Sequence, residues 1–283
     1  MSRGARTTYD ARMSAGSSVT LATGITLSYA ERGAARGPTV VLLPGPTDSW
    51  RSYAPVLDRL PLSIRAIAVS QRGHGDSDKP AGGYRVKDFA ADVVALLDRF
   101  DIERAVLAGH SGSCLVARRV TLDHPARIAG LILEASPTTL VGHAGLIEFV
   151  DSVVSSLHDP IDPDLARSFI TDMSSEQLAP ALVDELVGDL LKVPAYVWKE
   201  MFTELLTYDD LGEIQRIGAP TLLVWGDNDD VVGRDMQTML AERIAGAELL
   251  VYTGVGHTPR WENPTRFASD SAALIERSHQ PRP

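Results

Sequence analysis

Five short stretches of the chain are apolar at nearly every position: Thr39–Leu43, Ile64–Val69, Ala105–Gly109, Ile128–Leu133 and Thr221–Trp225. Strands without polar alternation belong to a sheet that is covered on both faces. Between them the pattern changes to a helical period. In the segment Tyr84 to Phe100, Val86, Phe89, Ala90, Val93, Val94, Leu97 and Phe100 fall on one stripe. Alternation of strand and helix predicts right-handed crossovers and a doubly wound, mainly parallel sheet of the α/β class. The run Ile25 to Glu31 alternates more regularly and is expected as an antiparallel edge strand.

That rhythm stops between Pro137 and about Pro220. Here Leu182, Leu186, Leu190 and Leu191 mark one helix, Val197, Met201 and Leu205 mark another, and no stretch reads as a strand. The expected organisation is a core of residues 18–136 and 209–278, with residues 137–208 inserted as a helical cap over the strand ends. Residues 1–17, polar and small, are expected as a flexible extension.

Composition narrows the function. The chain has 283 residues, 44% hydrophobic and 23% charged, enough apolar material for a sizeable core. A net charge of −10 argues against nucleic acid or an anionic membrane surface as partner, since both repel an acidic protein. The single cysteine, Cys114, excludes an intramolecular disulfide, and no Cys/His spacing resembles a zinc site. The N-terminal Met-Ser-Arg-Gly-Ala-Arg lacks the apolar core of a secretory signal, and no run of about 18 apolar residues could span a bilayer. The expectation is a cytoplasmic protein acting on a small molecule without metal or organic cofactor; a homo-oligomer is left open.

The chemistry concentrates in Gly109-His-Ser111-Gly-Ser113, between an apolar strand and the helical run Cys114 to Leu122. A serine on so tight a turn needs small residues on either side, which Gly109 and Ser113 supply. The turn sets Ser111 at a helix N-terminus, where the Gly112 N–H can meet a developing negative charge. A serine hydroxyl needs a base. His257 follows the run Leu250–Gly256, whereas His124, His143, His158 and His279 have no such setting. His74 sits in a turn, and His110 lies inside the elbow. The acid that orients the base should follow a late strand, and Gly226-Asp-Asn-Asp-Asp230 does so. Asp229 is favoured because Asp227 stands too near the strand end to reach His257. Glu134 is the reserve.

With these motifs the chain resembles the α/β-hydrolase superfamily over about residues 18–278. The resemblance rests on Leu-Leu-Pro-Gly-Pro-Thr-Asp-Ser-Trp (42–50), Arg-Gly-His-Gly-Asp-Ser-Asp-Lys-Pro (72–80), the elbow, Gly226–Asp229 and Gly256-His257 with Glu262-Asn-Pro264. It implies acyl transfer to water by Ser111, His257 and Asp229, on an ester, lactone or related acyl bond. Alternatives on this fold are carbon–carbon bond hydrolysis, cofactor-free oxygenation, or ligand reception without catalysis. The serine argues against the members that use an aspartate nucleophile. One departure stands out. The family's second oxyanion donor is the N–H of the residue that follows its His-Gly, and here that residue is Pro46, whose nitrogen carries no hydrogen. Either Thr47 donates instead or the hole has one donor fewer. Trp50, Trp198 and Phe202 are expected to line the pocket.

Overall fold

A computed structural model describes residues 14–280. Among these residues eight strands form one sheet: β1 (Ser14–Thr20), β2 (Thr26–Arg32), β3 (Thr39–Leu43), β4 (Arg65–Val69), β5 (Ala105–His110), β6 (Ile128–Glu134), β7 (Thr221–Gly226) and β8 (Glu248–Tyr252). Their spatial order is β1-β2-β4-β3-β5-β6-β7-β8. Pairings of β2 with β1 and with β4 are antiparallel, and all those from β4 through β8 are parallel.

The apolar runs are uninterrupted because both faces are covered. Along β3, Val41 and Leu43 pack into one apolar cluster and Val40 and Leu42 into the other. Helices α2 (Val86–Arg99) and α3 (Ser113–Asp123) cover the first face. The short α1 (Ala54–Leu57) and the last helix, introduced below, cover the second. Burying side chains on both faces yields about 25 cal/mol per Å² of apolar surface, which favours Val, Ile and Leu at every strand position.

Between β6 and β7 lie α4 (Ala144–Ser152), α5 (Pro163–Thr171), α6 (Pro180–Leu190) and α7 (Ala195–Leu205), with no strand among the described residues of this stretch. After β7 come α8 (Arg234–Arg243), α9 (Pro259–Glu262) and α10 (Pro264–Ser278). No helix among the described residues is long and apolar enough to cross a membrane.

Two expectations need correction at the N-terminal side. Residues 1–13 of the expected extension lie outside the described residues, but its last four residues, Ser14 to Ser17, belong to strand β1 (Ser14–Thr20). It pairs with β2 through a register shift between Ser14 and Ser17. Consequently β2 is antiparallel, as its alternation predicts, but it is interior, and β1 is the edge. Ser-Ala-Gly-Ser-Ser-Val-Thr carries too few apolar side chains to announce a strand; it is held chiefly by ladder bonds to its neighbour.

Topology positions the site. β3 has β4 on one side and β5 on the other, so the chain reverses its direction of winding between β3 and β5. Loops leaving the carboxyl ends of these two strands diverge and leave a crevice, the usual ligand position in an open α/β sheet. Pro44–Pro46 leaves β3 there, and Ser111 leaves β5.

Candidate active site

Ser111 occupies the turn between β5 and α3 with φ of 52°. A non-glycine residue in this region carries strain of order 1–3 kcal/mol, which its surroundings must offset. Its N–H donates to the Glu134 carbonyl at 2.9 Å, and its own carbonyl accepts from the Cys114 N–H at 2.9 Å. The turn also requires Gly109, because a Cβ there would lie 2.7 Å from the Ser113 carbonyl oxygen. Ser113 does more than stay small. Its Oγ donates to the Pro44 carbonyl at 2.6 Å and accepts from Gln71 Nε2 at 2.8 Å, and Gln71 Nε2 reaches the same carbonyl at 3.1 Å. The elbow is thereby pinned to the loop after β3.

Asp229 and His257 meet. His257 Nδ1 stands 3.0 and 2.9 Å from the two carboxylate oxygens of Asp229, whose side chain is fully enclosed. Asp229 Oδ1 also accepts the N–H groups of Val231 and Val232, both at 2.9 Å, which fix the carboxylate in place. With a carboxylate at Nδ1, the ring carries its proton there and leaves Nε2 as the acceptor. Asp227 points elsewhere: its Oδ1 accepts the Gly254 N–H at 2.6 Å. Glu134, the reserve, faces Arg260 rather than His257, accepting the Arg260 N–H at 2.8 Å.

His110 is drawn into the site from beneath. Its Nε2 donates to the His257 carbonyl at 3.0 Å, and the two rings are 4.8 Å apart. Burial, followed by the charge of Arg260, pushes its pKa well below 6.5, so the ring is neutral. Among the described residues its Nδ1 has no partner, and it faces Gly45, where a Cβ would come within 2.4 Å of it.

A buried charge cluster supports the floor, and the motifs do not announce it. The Arg260 guanidinium, wholly enclosed, donates to Asp48 Oδ2 at 2.7 Å, to Ser52 Oγ at 2.9 Å and to Glu134 Oε2 at 3.4 Å. Burial raises the carboxyl pKa of both Asp48 and Glu134, against the charge of Arg260, which lowers them. The cluster joins the loop after β3, the end of β6 and the segment after His257. Only the positions of Asp48 and Arg260, each inside or just after a recognisable motif, hint at it in the sequence.

Ser111, Gly112, Pro46 and His257 share the wall of a cavity of about 440 Å³. The rest of the wall is mostly apolar, with Leu146 and Phe149 from α4, Phe169 from α5, and Phe202 and Leu205 from α7. A larger, open groove of about 1140 Å³ lies at the opposite end of the sheet, among Arg36, Arg104 and Arg216. It contains none of the nucleophile, base or acid candidates, so the smaller cavity is the candidate site despite its size.

Three residues expected at the pocket are elsewhere. Trp50 is not on the cavity wall; it packs in the cluster on the far face of the sheet, with the Arg51 guanidinium 4.7 Å from its ring. Trp198 is fully buried behind the wall, 5.1 Å from the Phe169 ring and 5.6 Å from the Phe202 ring. Thr47 has no exposed surface, and its hydroxyl has no partner among the described residues. It takes φ of 73° in a tight turn closed by the Asp48 N–H on the Gly45 carbonyl at 3.1 Å. Proline at the second position and positive φ at the third are the marks of a type II turn, which directs Thr47 inward.

The family model described as "Alpha/beta hydrolase family" matches residues 40–270. A non-heme chloroperoxidase from Streptomyces lividans is 29% identical over 274 residues, covering 91% of this chain and 99% of the relative. The 3-oxoadipate enol-lactonase 2 of Acinetobacter baylyi is 28% identical over 212 residues, covering 75% of this chain and 78% of the relative. Among solved structures, a hydrolase from Pseudomonas aeruginosa superposes with a TM-score of 0.80 at 25% identity, covering 92% of this chain and 97% of the other.

Proposed function

The chain belongs to the α/β-hydrolase family, and on that premise we propose that it is a serine hydrolase cleaving an ester or lactone of a small to medium apolar acid. Ser111 Oγ attacks the carbonyl carbon while His257 Nε2 takes its proton. Asp229 holds the imidazole in the required tautomer and stabilises the imidazolium that forms. The Gly112 N–H, at the head of α3, faces the developing oxyanion. Water then releases the acyl group by the same steps in reverse order.

The observation that carries this reading is the pair of contacts from Asp229 to His257 Nδ1 on the same cavity as a strained, elbow-borne Ser111. Among the described residues Ser111 Oγ makes no hydrogen bond to His257; such contacts are often loose before substrate arrives. Helices α4–α7 act in this reading as a cap. Of these, α4, α5 and α7 contribute side chains to the apolar wall, and a cavity of about 440 Å³ suits a compact substrate. The relative named as an enol-lactonase supports cyclic as well as open esters.

Labelling with a fluorophosphonate and turnover of p-nitrophenyl acetate test the proposal. Ser111→Ala should abolish labelling and lower kcat by about 10⁴–10⁶ with an unchanged circular dichroism spectrum. Turnover within about tenfold of wild type would remove Ser111 from the mechanism. Pro46 favours a second reading, in which the His257–Asp229 pair deprotonates a substrate for cofactor-free oxygenation and a strong oxyanion hole is not needed. Ester turnover that survives loss of Ser111 but not of His257 would direct attention there.

A further inference from the structure

Resting on the Ser111 reading, we infer that the site takes acyl groups carried on good leaving groups, namely esters of phenols and enols, and does not turn over esters of simple alkanols or amides. Donors are few along the two segments that flank the nucleophile. On the elbow, the Ser111 N–H is spent on the Glu134 carbonyl, and the Gly112 N–H bonds no other described residue. On the loop after β3, Pro46 lines the cavity and has no N–H to offer. The next residue, Thr47, lies off the wall with no exposed surface, and the Asp48 N–H is spent on the Gly45 carbonyl.

What stands opposite Gly112 is hydrocarbon. A Cβ on Gly112 would meet Pro46 Cγ at 3.1 Å and Leu205 Cδ1 at 3.2 Å. The loop cannot readily swing to present another donor, since Ser113 and Gln71 both hold the Pro44 carbonyl. Among the described residues of these two segments the oxyanion therefore meets one N–H and the head of α3. A preorganised donor contributes about 10²–10³ in rate, so a site short of one must recover the deficit from its substrate.

The leaving group supplies it. In acylation the Ser111 Oγ–carbon bond forms, the Ser111 proton moves to His257, the carbon–oxygen bond to the leaving group breaks, and His257 returns the proton to that oxygen. A phenol or enol ester has a more electrophilic carbonyl and expels a weakly basic oxygen, so less charge must be held on the carbonyl oxygen. An alkanol ester gives neither advantage, and an amide gives less still. Deacylation carries a second consequence. Water bonds to the acyl carbon, loses its proton to His257, and expels Ser111, which takes that proton back. Ser111 is an alkyl alcohol whatever the substrate, so this half-reaction always meets the unfavourable case and the acyl-enzyme accumulates.

The test uses the intact protein and acetates of p-nitrophenol, phenol, trifluoroethanol and ethanol. With p-nitrophenyl acetate, stopped-flow absorbance should show a burst of one equivalent of nitrophenol before a slower steady state. Across the series kcat/KM should fall more steeply than the rate of hydroxide hydrolysis. Pro46→Ala restores an N–H, and should raise the steady-state rate by about tenfold or more while improving ethyl acetate more than p-nitrophenyl acetate. If that variant does not fold, the wild-type series decides alone. Steady-state turnover without a burst, a leaving-group dependence no steeper than that of hydroxide, or a folded Pro46→Ala protein with unchanged kinetics would overturn the inference and leave Ser111 in place. A burst that persists in Ser111→Ala, or no burst and no turnover with any ester, overturns the hydrolase reading and this inference with it.

Discussion

At Asp229, one carboxylate serves two sets of donors, and this makes its amide a sharp test. Oδ1 is held by two backbone N–H groups, from Val231 and Val232, while both oxygens face His257 Nδ1. An asparagine would keep its oxygen towards the backbone and turn its NH₂ towards the ring. Nδ1 would then have to accept, the proton would move to Nε2, and the imidazole could no longer take the Ser111 proton. Asp229→Asn should therefore lower kcat by about 10⁴ with little change in melting temperature. Asp227→Asn keeps an acceptor for the Gly254 N–H and should stay within a few-fold of wild type. Equal losses in esterase assays of the two variants would mean that the acid has been assigned to the wrong turn position. This choice was open to sequence reasoning because reach along a loop can be judged from spacing. Where a side chain points cannot, and so the sequence directs Thr47, Trp50 and Trp198 to a cavity that none of them lines. Arg260 was hidden for another reason: a charged residue is ordinarily a surface residue, and nothing local indicates two buried carboxylates waiting for it.

The elements were legible in proportion to how much of their stability comes from burial. β3, β5, β6 and β7 are buried at every position, and each shows as a near-continuous apolar run. β1 is an edge held by ladder bonds, which every sequence can make, and its composition gives no notice of it. The junction between elements is where the site is set. Ser113, first residue of α3, carries the only side chain that ties both Pro44 and Gln71 to the elbow among the described contacts. Its removal in Ser113→Ala leaves the Pro44 carbonyl with Gln71 alone and takes from Gln71 Nε2 one of its two acceptors. A cost of about 1–3 kcal/mol in urea unfolding is expected, because two buried hydrogen bonds are lost. Esterase kcat should fall while KM changes little, since the pin orients Gly112 against Pro46 and touches no substrate. A variant as stable as wild type would show that the serine merely fills space.

On the scale of the whole molecule, the fold encloses two imidazoles that must be neutral, and this couples stability to pH. Burial lowers the His74 pKa from 6.5 to about 4, outweighing the bond from its Nδ1 to the Arg72 carbonyl at 2.7 Å, which favours the protonated ring. His110 is lowered well below 6.5 by burial and by Arg260. Above pH 6.5 neither the folded nor the unfolded chain protonates these rings, and they impose no penalty. Below it the unfolded chain binds protons that the folded chain refuses, so stability falls as pH falls, by up to about 1.4 kcal/mol per pH unit for each ring. For His74 that loss continues to about pH 4, and amounts to about 3 kcal/mol in total. Asp48 and Glu134 act in the opposite sense, because their raised pKa values let the folded chain hold protons that the unfolded chain releases. Titration of the net charge of −10 adds a further background. A comparison of two proteins that differ only at His74 cancels both. His74→Phe keeps an aromatic ring facing Phe89, whose centroid is 6.3 Å away, and gives up one hydrogen bond. In urea unfolding at pH 7.5 the variant should be the less stable by about 1 kcal/mol, the worth of that bond. As pH is lowered towards 4 the difference should shrink and then reverse, since only wild type goes on losing stability through this ring. A difference that stays constant from pH 7.5 to 4 would mean that the ring takes up its proton in the folded protein as easily as in the unfolded one.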